Sequence, residues 1–240
     1  MHGCEGTAQK YFKKNTKHRS LADTYGFITI YPSAANYQNC WDVHTNESLS
    51  HNGGSDSLSI VSMVRYAITQ YNADLDKVFV MGESSGAMMT NVLSAAYPDV
   101  FAAGSAYSGL PAGCLRGSPG SGPKDADRTC PHGQMIKTTE EWGDIARSFY
   151  PGYTGEYPRM LIWHGTLDGA LNPQNFVETL KQWSNLHDVR FSKNVTNTPE
   201  RGYTKMVYGD GERLVGYEAH GVGHPVPLHE MIDLEWFGII

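Results

Sequence analysis

Several things are scarce or missing in this sequence, and each absence narrows the field. No apolar stretch approaches the ~18 residues of a membrane-spanning helix. The net charge is -6, and no basic run exceeds the Lys13-Lys14 pair. Neither a membrane nor a nucleic acid is therefore expected as a partner. Met1 is followed at once by His2-Gly3-Cys4, with no basic-then-apolar leader, so no signal peptide is visible. Only four cysteines occur in 240 residues, and Cys4, Cys40, Cys114 and Cys130 form no CxxC pair. That spacing argues against structural zinc. Four cysteines can pair in three ways. Two disulfides in an exported protein are favoured over four buried thiols. Charged residues make up 18% and hydrophobic ones 40%, which excludes a disordered chain. The length suits one α/β domain, or at most two small ones, and is enough to bury one sizeable core.

What is present alternates between strand and helix patterns. Phe27-Ile28-Thr29-Ile30-Tyr31 reads as a buried strand, and 57–71 as a helix with apolar residues at Leu58, Ile60, Val61, Met63, Val64, Ala67 and Ile68. Asp56 or Ser57 is the expected N-cap of that helix. Strands are expected at 78–81, within 100–107, and at 159–163, 205–208 and 214–217. Helices are expected at 85–96, 138–150, 176–183 and 229–237, with a Gly/Pro/Ser-rich loop over 111–131. This order predicts a mostly parallel, doubly wound sheet. Two N-glycosylation sequons, at Asn46 and Asn194, are no more than the composition gives by chance.

Gly82-Glu83-Ser84-Ser85-Gly86 matches G-x-S-x-G. By chance roughly one such chain in five would carry it, but here it follows a strand and opens a helix, as a nucleophile elbow requires. The turn needs residues without bulk beside Ser84, and the helix start supplies free N–H groups. A serine hydroxyl is protonated at neutral pH and needs a base. Asp168 follows the strand at 159–163, where a parallel sheet places its site. His224 sits between the last strands and the last helix, in Gly221-Val222-Gly223-His224-Pro225. The chain order Ser84, Asp168, His224 is that of an α/β-hydrolase triad. His164 and His220 are the rival bases, read as structural or supporting. His220 and His224 also have the i, i+4 spacing of a zinc pair, but the intervening glycines oppose a helix. Backbone N–H donors for an oxyanion are expected from Ser85 and, in His2-Gly3-Cys4, from Cys4.

Beyond the triad, the chain resembles the secreted fungal acetylxylan esterases, within the esterase family that also holds feruloyl esterases and polyhydroxybutyrate-depolymerase-like enzymes. The matching segments include His2-Gly3-Cys4, Asn39-Cys40-Trp41-Asp42 and Gly82-Glu83-Ser84-Ser85-Gly86-Ala87-Met88-Met89. Tyr97-Pro98-Asp99-Val100-Phe101, Ser108-Gly109-Leu110-Pro111-Ala112-Gly113-Cys114 and Tyr150-Pro151-Gly152-Tyr153-Thr154-Gly155 match as well. So do His164-Gly165-Thr166-Leu167-Asp168, Gly221-Val222-Gly223-His224 and Trp236-Phe237-Gly238.

The resemblance implies an α/β-hydrolase fold, the triad Ser84, Asp168 and His224, and export from the cell. It implies the bridges Cys4–Cys40 and Cys114–Cys130, the first of which would pin the oxyanion loop and hold Trp41 near the site as a substrate contact. The expected activity is removal of acetyl groups from plant cell-wall xylan by a monomeric serine esterase. Release of ferulate, or an inactive truncated fragment, are the alternatives. No metal or organic cofactor is implied. Family members begin a few tens of residues earlier, so 1–240 is expected to be one esterase domain lacking its N-terminal strands, with no carbohydrate-binding module. Pro225 after His224, and Gly169-Ala170 after Asp168, depart from the family's usual residues.

Overall fold

A computed structural model describes residues 1–14 and 16–240. Six strands form one sheet: β1 (Phe79–Glu83), β2 (Ala103–Tyr107), β3 (Arg159–Gly165), β4 (Phe191–Thr196), β5 (Tyr203–Tyr208) and β6 (Leu214–Ala219). Their spatial order is β1-β2-β3-β6-β5-β4. The pairs β1/β2, β2/β3 and β3/β6 are parallel, with Glu83 opposite Tyr107 and Tyr107 opposite Trp163. The β6/β5 and β5/β4 pairs are antiparallel. All three C-terminal ends of β1, β2 and β3 therefore open on one side, where the loops carrying Ser84, Ser108 and Asp168 begin.

The period-2 alternation of a strand divides the core. On β3, Met160 and Ile162 join one apolar cluster, while Leu161 and Trp163 join another on the opposite face. The first cluster takes apolar residues from α3 (Ser55–Tyr71), α4 (Ser85–Ala96), α5 (Thr139–Arg147) and α6 (Gln174–Leu186). The second face carries a buried stack in which the Trp163 ring lies 5.1 Å from Tyr107 and 4.1 Å from Tyr217. Such pairs add ~0.5–1.5 kcal/mol each beyond their burial. There α2 (Thr16–Tyr25) meets α7 (Glu230–Phe237) through the Lys17–Glu230 ion pair, and Asp233 accepts from the Ser105 and Tyr107 hydroxyls of β2. A short α1 (Ala8–Lys14) precedes α2.

Most expected elements are found within a few residues of their anticipated bounds, but three differences matter. The segment 27–31 forms no strand, and Ile28 is 51% exposed. Its β-branched and aromatic residues have strand propensity but no ladder partner. A cavity of about 630 Å³ separates this segment from β1, lined by Phe27, Ile30, Val64, Phe79 and Val80 among others. The outer edge of β1 meets Met1: the Met1 amine donates to Met81 O (2.5 Å), and Glu83 N–H donates to Met1 O (3.2 Å). Burial pushes the pKa of that amine down to about 5. Second, α3 starts at Ser55, with Gly54 rather than Asp56 or Ser57 at its cap. Asp56 instead accepts from Asn36 Nδ2 and the Asp42 N–H. Third, α1, α2 and the fully exposed β4 were not expected.

Both anticipated disulfides are present, Cys4–Cys40 and Cys114–Cys130. The loop closed by the second packs on residues 38–44: Ser121 Oγ accepts from Val43 N–H, and Gly117 N–H donates to His44 O. Among the described residues, no helix is long and apolar enough to cross a membrane, and no group of three His, Cys, Asp or Glu side chains could hold a metal ion.

Candidate active site

Ser84 directly follows β1 and caps α4 with φ 56° and ψ -121°. A non-glycine residue in the left-handed half of the map is strained, and it persists only where the surroundings fix it. Here Ser84 N–H donates to Tyr107 O (2.8 Å), while Ser84 O accepts the Ala87 and Met88 N–H groups (2.9 and 3.0 Å). The two glycines of the motif allow the close approach. A Cβ on Gly82 would collide with the Gly86 carbonyl, and one on Gly86 with the Met1 carbonyl.

His224 and Asp168 come to this serine from separate loops. His224 Nε2 lies 2.8 Å from Ser84 Oγ, and His224 Nδ1 lies 2.7 Å from Asp168 Oδ2. The ionised carboxylate only accepts, so Nδ1 carries the proton and Nε2 presents a lone pair to the Ser84 hydroxyl. Three contacts hold the histidine loop. Leu167 N–H donates to Val222 O (3.0 Å), Gly221 N–H to Thr166 Oγ1 (2.9 Å), and Val226 N–H to Ser108 Oγ (3.1 Å).

Asp168 is 5% exposed. Burial alone would raise its pKa. Hydrogen bonds from His164, His224 and the Leu171 N–H outweigh that and hold it well below the usual carboxylate range. Of the rival histidines, His220 sits away from this group, with Nε2 2.9 Å from Thr204 Oγ1. His164 touches Asp168 as well, its Nε2 3.3 Å from the same Oδ2 that His224 contacts.

Residues 2–4 flank Ser84. A Cβ on Gly3 would stand 3.2 Å from Ser84 Cβ and 3.6 Å from its Oγ. His2 is buried, its Nδ1–H donating to Gly3 O (2.8 Å) while its Nε2 accepts from Ala34 N–H (3.2 Å). Glu5 N–H donates to Gln38 O, and the Cys4–Cys40 bridge joins the same two loops.

Trp41 corrects one expectation. It is 1% exposed, so it offers no face to a substrate. Its indole N–H donates to His2 O (2.8 Å), and its backbone N–H donates to Ser85 Oγ (2.8 Å). It therefore ties residues 2–4 to the first turn of α4. The Ser85 hydroxyl and Ser108 hydroxyl, both fastening loops at the site, carried no signal in the sequence beyond their place after a strand.

A mixed sheet with parallel strands at the site, a strained serine between strand and helix, and a Ser–His–Asp hydrogen-bonded series from three strand-end loops define an α/β-hydrolase. The comparisons agree and narrow it. The chain belongs to the Esterase PHB depolymerase family, whose model matches residues 1–188, a span holding Ser84 and Asp168 but not His224. It is 51% identical over 239 residues to Feruloyl esterase B of Talaromyces stipitatus, covering 100% of this chain and 66% of that protein. It is 48% identical over 241 residues to Probable acetylxylan esterase A of Aspergillus fumigatus, covering 99% of this chain and 64% of that protein. The chain thus spans just under two thirds of the length of both. The solved acetyl xylan esterase from Aspergillus awamori superposes with a TM-score of 0.93 at 44% identity, covering 100% of this chain and 87% of that one.

Proposed function

We propose that this chain is a secreted serine esterase that removes acetyl groups from acetylated xylan through an acyl-enzyme. The observation that carries this reading is the aligned series Asp168–His224–Ser84, with 2.7 and 2.8 Å links. Ser84 Oγ attacks the ester carbonyl as His224 Nε2 takes its proton. The imidazolium so formed is stabilised by Asp168, and it returns the proton to the leaving sugar hydroxyl. Water, activated by the same histidine, then releases the acid. The Ser85 N–H at the start of α4 and the Cys4 N–H beside Gly3 are the donors assigned to the oxyanion. Xylan as the acylated polymer follows from the names of the relatives, and two disulfides suit an oxidising compartment.

A second reading, feruloyl ester hydrolysis, is favoured by the 51% identity to a protein named Feruloyl esterase B. The chemistry at Ser84 is the same for both. Acetate release from acetylated xylan and ferulate release from methyl ferulate, measured side by side, separate them. Ser84→Ala is expected to abolish either activity, and a variant retaining full turnover overturns the assignment. A wild-type chain that melts cooperatively yet hydrolyses neither ester overturns the proposed function.

A further inference from the structure

His164 is the penultimate residue of β3, 2% exposed, with its ring packed at 6.3 Å from the Phe176 ring of α6. Its Nε2 lies 3.0 Å from Leu171 O and 3.3 Å from Asp168 Oδ2. A carbonyl oxygen can only accept, so Nε2 carries the proton, and its N–H is shared between that carbonyl and the carboxylate. The Asp168 carboxylate is then fully occupied. Oδ1 accepts from the Ala170 and Leu171 N–H groups (2.9 and 2.8 Å), and Oδ2 accepts from both histidines. Among the described residues, His164 and His224 are the titratable groups in contact with it.

We propose that His164 is a positioning residue for the reaction, a second imidazole that aims Asp168 Oδ2 at His224 and sets how strongly the carboxylate attracts the His224 proton. This rests on the esterase reading of the same site. Two consequences follow from sharing one oxygen between two donors. First, Oδ2 is held by the His164 N–H as well as by His224, so the carboxylate resists swinging away from the His224 loop. Second, the His164 N–H draws off part of the negative charge on Oδ2, so Asp168 attracts the His224 proton less than a singly bonded carboxylate would. Removing that N–H is therefore expected to move the acid limb of Ser84 reactivity to higher pH. His164 touches neither Ser84 nor the Cys4 and Ser85 amides, so it acts through Asp168 alone.

The test compares His164→Leu, which removes the donor, with His164→Gln, whose side-chain N–H reaches a similar position. The readout is the rate at which a fluorophosphonate labels Ser84, followed against pH together with thermal melting. This reaction reports Ser84 reactivity whatever ester the enzyme prefers. A wild-type chain that is not labelled refutes the proposed function, whereas the variants test His164. For His164→Leu we expect the plateau rate to fall by about tenfold or more, with the acid limb moved to higher pH. For His164→Gln we expect the acid limb to return to its wild-type position and most of the rate with it. An acid limb that stays in place or moves to lower pH in the folded His164→Leu protein overturns the proposal. So does His164→Gln behaving like His164→Leu although both melt cooperatively.

Discussion

The two disulfides allow stability and catalysis to be separated in one experiment. The Cys4–Cys40 bridge spans 36 residues and Cys114–Cys130 spans 16. Loop-closure entropy gives upper limits of ~4 and ~3 kcal/mol for the two bridges. For a chain of this size that corresponds to ~8–16 °C and ~6–12 °C in Tm. The two bridges are thus close in stabilising power but differ in what they fasten. Cys4 adjoins Gly3, which lies against Ser84, and Cys40 precedes Trp41, which holds His2 and Ser85. The second bridge closes a loop packed on residues 38–44, outside the Ser84–His224–Asp168 series. Paired Cys→Ser variants of each bridge are assayed for ester turnover well below their Tm. The Cys4→Ser/Cys40→Ser protein is expected to lose kcat by ~10- to 100-fold, short of the ~100- to 1000-fold that deleting an oxyanion donor costs. The Cys114→Ser/Cys130→Ser protein is expected to melt earlier and keep its kcat. Equal kcat losses in the two variants, or full kcat without the first bridge, refute the reasoning.

Three further outcomes are expected. Gly3→Ala places a methyl group 3.2 Å from Ser84 Cβ, so turnover is expected to drop by about tenfold while Tm holds. In contrast, Gly86→Ala drives a Cβ into the Met1 and His2 carbonyls and is expected to cost ~1–3 kcal/mol or more of stability; the reverse pattern in melting and activity refutes the packing. Trp41→Phe leaves the buried His2 O without its indole donor and is expected to cost ~1–3 kcal/mol and to slow turnover; wild-type values for both would count against the tie. His187, at the end of α6, has its pKa driven down to about 4 by burial, then by Arg213. The folded value lies below the unfolded 6.5, so the unfolded chain binds the extra proton in that window and stability falls as pH drops from 6.5 to 4, by at most ~3 kcal/mol. Urea midpoints at about pH 7 and about pH 4.5 are expected to differ less in His187→Phe than in the wild type. An unchanged difference removes His187 from the account.

The sheet and the Ser84 turn were legible because several local signals coincided. An apolar run from Val78, two glycines two residues either side of Ser84, and a run of small helix-forming residues all point to strand, turn and helix. Asp168 and His224 were readable from their place in the chain order. Other features depended on neighbours that no local pattern names. Phe27 to Tyr31 has the composition of a strand, yet a strand exists only with a partner, and a cavity lies where one would pair. Trp41 sits beside the right loop, but whether an indole faces solvent or core is settled by packing, and here it is buried. The exposed β4 has no apolar alternation to betray it. His164 was visible as a histidine near Asp168, whereas its shared hydrogen bond required the turn that brings Leu171 O within 3.0 Å.

The fastening of two loops to one another has a consequence for how this protein fails. Leu167 N–H donates to Val222 O and Gly221 N–H donates to Thr166 Oγ1, so the loops carrying Asp168 and His224 are joined more directly to each other than to Ser84. A local opening that frees one loop frees both and leaves the sheet standing. Warming or mild denaturant would then part the histidine from the serine first, in molecules whose helices and strands still give a folded signal. Inactivation and unfolding would be two transitions, and an inactive sample of this chain could pass by circular dichroism as intact.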